Sequence, residues 1–192
     1  MVQPIGALVQ GQIADQTWRS VVRESKMSQD QEFNQGDMVV YPAHGVGTVE
    51  GIETTTIGGE SLSLYTITFK QERMRLKLPV QKAVNSGLRR LSSKERLKSA
   101  LSTLQGRARV RRTMWSRRAQ EYEAKINSGD PVSIAEVLRD LRRNDDQGEQ
   151  SYSERQIYQA ALERLAREVA AVEDIDEEAA ATKLEKVLAK AA

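Results

Sequence analysis

The chain contains no cysteine in 192 residues. That excludes a disulfide framework, a thiolate metal site and a cysteine nucleophile, and it is the usage expected of a reducing cytoplasm. Histidine is almost as scarce. His44 has no second imidazole or thiolate to complete a metal site and no nucleophile at triad spacing. No run of 18 apolar residues occurs, so no membrane span is expected. The first basic residue is Arg19, so no charged segment precedes an apolar stretch and no signal peptide is expected. Aromatic content is 5% and charged content 29%, against 39% hydrophobic, which predicts small cores and much solvated helix in one or two domains.

Acid is missing from one place in particular. Residues 89–118 hold eleven Lys and Arg and a single acid, Glu95, in a chain whose net charge is only +2. Residues 119–192 reverse the balance, with ten bases against seventeen acids. A basic waist between a neutral front and an acidic rear predicts one directed contact with a polyanion rather than diffuse stickiness. Within the waist, Arg111-Arg112-Thr113-Met114-Trp115-Ser116-Arg117-Arg118 sets one tryptophan between two pairs of arginines. Guanidinium forks match phosphate oxygens, and an indole stacks on bases or wedges between them. The combination points at nucleic acid.

The pattern along the chain predicts an α+β protein of two modules. Residues 1–31 lack sustained periodicity and read as a disordered tail, with Met27 a candidate natural start. Residues 32–85 read as β: Met38–Tyr41, an alternating Val46–Glu53, a hairpin of Thr54–Ile57 and Leu62–Phe69 closed by Gly58-Gly59, and Met74–Leu78. Gly47 and Gly51 are expected at bends or bulges. Five short strands in so few residues predict a small bent sheet or barrel of Tudor/SH3 type. Residues 86–192 read as about five helices. Ser92 to Glu95 is a capping box ahead of Leu97, Leu101 and Leu104. Thr113 is the expected cap of a helix to Asn127, Asp130-Pro131 opens the next, Ser153 to Gln156 caps a long one, and Asp176 begins the last.

Each motif also has a plainer interpretation. Trp115, Ala119, Tyr122 and Ile126 share one helical face, which favours a core tryptophan. Its arginine neighbours resist burial, so an edge position, partly packed and partly presented, satisfies both. The arginines could be paired internally by the acidic helices 136–154. His44 reads as a turn residue. The glycines around it form no phosphate loop, since no Lys-Ser/Thr and no helix follow. Asp145-Asp146 and the acids from Asp174 to Glu178 lack the order of a calcium loop. No catalytic constellation, metal site or cofactor motif stands out, so an enzyme is not expected.

Gly36-Asp37-Met38-Val39-Val40-Tyr41-Pro42-Ala43-His44-Gly45-Val46-Gly47 resembles the opening of CarD/CdnL-type bacterial transcription regulators, a module also similar to the RNA-polymerase-interacting domain of transcription-repair coupling factors. Trp115-Ser116-Arg117-Arg118, Ser128-Gly129-Asp130 and Ala135 to Leu141 match the same family in the same order, so the likeness spans residues 33–190. The resemblance implies a Tudor-like domain docked on the polymerase β subunit and a helical domain at the upstream edge of the transcription bubble. It implies that Trp115 wedges in the minor groove, with Arg117 and Arg118 on the backbone; the basic block adds Arg111 and Arg112 as candidate DNA contacts. It places Lys77 at the polymerase contact. Thr55 stands where the family has a second basic residue, a loss for which Arg75 could compensate, and Gln120 stands where some members carry a base. Together these imply a single copy acting on RNA polymerase and on promoter DNA without sequence specificity, with no membrane partner. The runner-up is a free-standing nucleic-acid-binding or ribosome-associated protein with a small β-barrel.

Overall fold

Alternating apolar residues from Met38 to Pro79 build the sheet that the sequence predicts, seen here in a computed structural model that describes residues 33–57, 60–83, 85–109, 113–142 and 150–190. The expected tail of residues 1–31 lies outside the described residues, as do Arg111 and Arg112 and the Gly58-Gly59 turn. The chain divides into two units, Met1–Phe33 and Asn34–Ala192, and the second contains every element that follows.

The strands are β1 (Met38–Tyr41), β2 (Gly45–Ile57), β3 (Glu60–Phe69), β4 (Met74–Pro79) and β5 (Arg89–Arg90). All pairings are antiparallel, in the order β4-β3-β2-β1-β5. Two expected strands, Val46–Glu53 and Thr54–Ile57, are one long strand bent where the register shifts between Val49 and Gly51. One extra residue there lets the strand curl without ending. The fifth strand is instead Arg89–Arg90, which pairs with Val39 and Val40. Two residues carry no periodic signal, so pattern could not find it. Gly47 serves packing rather than bending: a Cβ there would stand 2.7 Å from the Phe69 ring and 2.9 Å from Ile67. The inner face carries Val39, Val49, Tyr65, Ile67, Phe69 and Leu78, all buried.

After a single turn, α1 (Val80–Ala83), come the helices α2 (Lys94–Leu104), α3 (Trp115–Asn127), α4 (Pro131–Leu141), α5 (Tyr152–Glu173) and α6 (Glu177–Lys190). Their apolar faces meet in one core that includes Leu97, Leu104, Tyr122, Ile126, Ile134, Leu138, Leu165, Val169, Leu184 and Leu188. Helix type and facing were legible; helix starts were less so. The cap of α2 is Ser93, which accepts from the Arg96 amide, because Ser92 is engaged elsewhere. The capping box of α5 joins Ser151 and Glu154 in both directions, two residues before the expected Ser153. Helix α3 begins at Trp115 with Met114 as its uncapped lead residue, not with Thr113. Asp130 caps α4 as expected, with Pro131 in its first turn.

Candidate nucleic-acid interface and partner face

Helix α3 positions the basic tip. Tyr122 and Ile126 are buried and root the helix in the core, while Trp115 at its first turn is half-buried and packs against the same core. The Trp115 and Tyr122 rings lie 6.5 Å apart at 52°. Burial, then the nearby Asp140 carboxylate, push the Tyr122 phenol above its ordinary range, so it stays neutral. Arg118 lies over the Trp115 ring, 5.5 Å from its centre, a cation–π contact that fixes both side chains. The Arg118 Nε is buried without a hydrogen-bond partner among the described residues. Arg117 is 75% exposed and only loosely paired with Glu121 at 3.8 Å. A surface pair of that length contributes little and leaves the guanidinium available. The edge position expected of Trp115 is the observed one.

The rest of the basic waist is less uniform than its sequence. Arg89 is half-buried against Glu168, Arg96 pairs with Asp130 at 2.7 Å, and Arg90 with Asp37 at 3.4 Å. These arginines fasten elements together and are not available as an open field. Lys94, Lys98, Arg107 and Arg109 lie on the exposed surface. Internal pairing, the alternative to an open field, therefore holds for part of the block, but through Glu168, Asp130 and Asp37, which lie outside 136–154. Arg111 and Arg112 lie outside the described residues.

A second group assembles on the sheet. Thr55 stands opposite Leu62, and Lys77 opposite Thr66, so alternation places Thr55, Lys77 and Arg75 on one outer face. Lys77 donates to Glu53 at 2.5 Å and Arg75 pairs with Glu50 at 3.3 Å. The Lys77 hydrogen bond, then that of Thr66, hold the Glu53 carboxyl below the usual carboxylate range. Both cations thus arrive at the surface already beside a carboxylate. The three residues read as a polymerase contact come together, yet two of them are pre-paired.

Residues that pattern reading missed lie on α5. Arg164 donates to the carbonyls of Pro42 at 2.9 Å and Ala43 at 2.8 Å, gripping the turn between β1 and β2. Gly45, at φ +77°, follows that turn, and a Cβ on it would stand 3.0 Å from the Arg164 Cδ. One helical turn on, Glu168 accepts two hydrogen bonds from Arg89 and one from the Ser92 amide. His44 sits in the gripped turn as expected. Its ring stacks on Tyr41 and its Nδ1 lies 2.7 Å from Glu72. No signal in the sequence marks Arg164 or Glu168, because each partner is more than 70 residues away.

Among the described residues no cluster of His, Asp or Glu is arranged to hold a metal, and no helix is long and apolar enough to cross a membrane. Residues 33–92 match the family described as CarD-like/TRCF RID domain, and residues 99–185 match CarD, C-terminal domain. A Bacillus subtilis (strain 168) protein named "Putative transcription factor YdeB" is 30% identical over 145 residues, 76% of this chain and 95% of that relative. The first match covers the whole sheet and its outer face, and the second covers the helix that carries Trp115. The chain belongs to the CarD family of non-catalytic transcription regulators, and its first segment is that family's RNA-polymerase-interacting domain.

Proposed function

We propose that this protein, in the cytoplasm and as a single copy, docks on the β subunit of RNA polymerase and stabilises the promoter open complex. The outer sheet face, with Lys77, Arg75 and Thr55, forms the docking surface. Trp115 wedges at the upstream edge of the bubble, with Arg117, Arg118, Arg111 and Arg112 on the phosphates. The observation that supports this most is the placement of Trp115: half-buried at a helix start whose other end is buried in the core. A rigid root lets the exposed part of the indole act as a preorganised wedge. Contacts that form only with melted DNA shift the open/closed balance by their differential affinity, and about 1.4 kcal/mol shifts it tenfold. Tethering to polymerase supplies the effective concentration, so weak intrinsic DNA affinity suffices. A wedge reads unstacking rather than base edges, in keeping with sequence-independent binding.

The test is open-complex lifetime on a promoter with an unstable bubble. Trp115→Ala should return the lifetime to the value without the protein while co-purification with polymerase persists. An unchanged lifetime refutes the wedge. Tight, steeply salt-dependent DNA binding by the protein alone would favour a free-standing nucleic-acid binder instead.

A further inference from the structure

The start of α3 breaks three local rules at once. Met114 occupies the cap position with no side-chain hydrogen bond, whereas Ser93, Asp130 and Ser151 each cap their own helices. The first turn has no acid and carries Arg117 and Arg118, the charge sign that a helix N-terminus disfavours. The Met114 side chain is 77% exposed, while Trp115 beside it is half-buried. One exposed apolar residue alone is ordinary. The three departures together are not, since local conflicts of this kind concentrate where a surface is kept for a partner.

Geometry adds a reason. Trp115 is already in contact with the core, with Tyr122 near one side and Arg118 over its ring, so much of its surface is occupied. The apolar side chain free to move forward is Met114. It is unbranched and adaptable, a shape that fits an irregular gap between unstacked bases. Arginines two and three positions beyond Trp115 supply charge complementary to the flanking phosphates. We propose that Met114 is itself a DNA-contacting residue, the leading part of a two-residue wedge in which Trp115 backs it. This rests on the wedge reading above, and commits to the unstacked base step at the bubble edge as what Met114 enters.

Met114→Ser separates contact from structure, because the two effects have opposite signs. Serine supplies the missing cap, so Tm should rise by about 2–4 °C. It removes the apolar side chain, so open-complex lifetime should fall about threefold to tenfold. Met114→Leu should retain the wild-type lifetime, and Trp115→Ala is measured alongside. A lifetime loss in Met114→Ser, with Tm unchanged or higher and with rescue in Met114→Leu, supports the proposal. A wild-type lifetime in Met114→Ser while Trp115→Ala shortens it overturns the proposal and leaves the Trp115 wedge standing. A loss in Met114→Ser with none in Trp115→Ala overturns both the Trp115 wedge and the two-residue form proposed here, because nothing then backs Met114. No loss in either variant overturns both.

Discussion

The Glu168 carboxylate, buried on α5, receives the Arg89 guanidinium from the last strand of the sheet at 2.7 and 2.9 Å. The same Arg89 also donates to the carbonyl of Gly129, at the turn that precedes α4. One arginine therefore ties the sheet edge to two parts of the helical region, by an ion pair and by a hydrogen bond. With Arg164 on the 42–43 turn, it joins the sheet to the helices through fixed geometry.

Removing Glu168 should expose how much of the fold depends on this tie. Glu168→Ala strands a half-buried guanidinium and the Ser92 amide, at a cost of about 2–4 kcal/mol. Urea unfolding measures it. A loss below about 0.5 kcal/mol would show that solvent already screens the pair.

The pre-paired cations on the sheet lead to opposite effects from two neighbouring charges. Lys77→Glu should reduce recovery of polymerase in a pull-down. Glu53→Gln should increase it, because Lys77 no longer has to leave a carboxylate in order to meet a partner's. If both variants bind like wild type, this face is not the docking surface.

Asp130 gives a sign for acid sensitivity. Burial alone would raise its pKa, but hydrogen bonds from Arg96 and Ser133 outweigh it and hold the carboxyl below the ordinary aspartate value. A depressed folded-state pKa contributes stability above the unfolded value of about 3.9, and that stability is lost as pH falls through the folded pKa. Asp130→Asn should therefore lose stability at neutral pH and approach wild type as pH falls below the ordinary aspartate range. A constant difference across pH would assign the effect to capping geometry alone.

Two serines discriminate between the expected and the observed start of α5. Ser151→Ala breaks a reciprocal capping box and should cost about 1 kcal/mol. Ser153→Ala, one turn position inside the helix, should be close to neutral. Equal effects in denaturant titrations would place the helix start elsewhere.

Much of the fold was readable because its signals are local. The alternation of Leu64 to Phe69 specifies which face is buried, and Asp130-Pro131 marks a helix start by chemistry that needs no partner. Boundaries slipped where a residue had a second use. Ser92 looks like a cap, but its hydroxyl accepts from Arg89 and its amide is bonded to Glu168, so Ser93 takes that role. The 89–118 block read as a free positive field because acids from outside the block cannot be matched to it by pattern. The outer-face grouping of Lys77, Arg75 and Thr55 needed register, which a single strand does not reveal.

The sequence by itself determined the element types, the aliphatic faces that meet in the core, the family and the half-packed character of Trp115. All of these follow from periodicity or contiguous motifs. Tertiary structure alone decided which arginines are paired, how α5 holds the sheet, and that Met114 is exposed at an uncapped helix start. Charge pairing and exposure depend on distances between residues far apart in the chain, and local pattern carries no information about them.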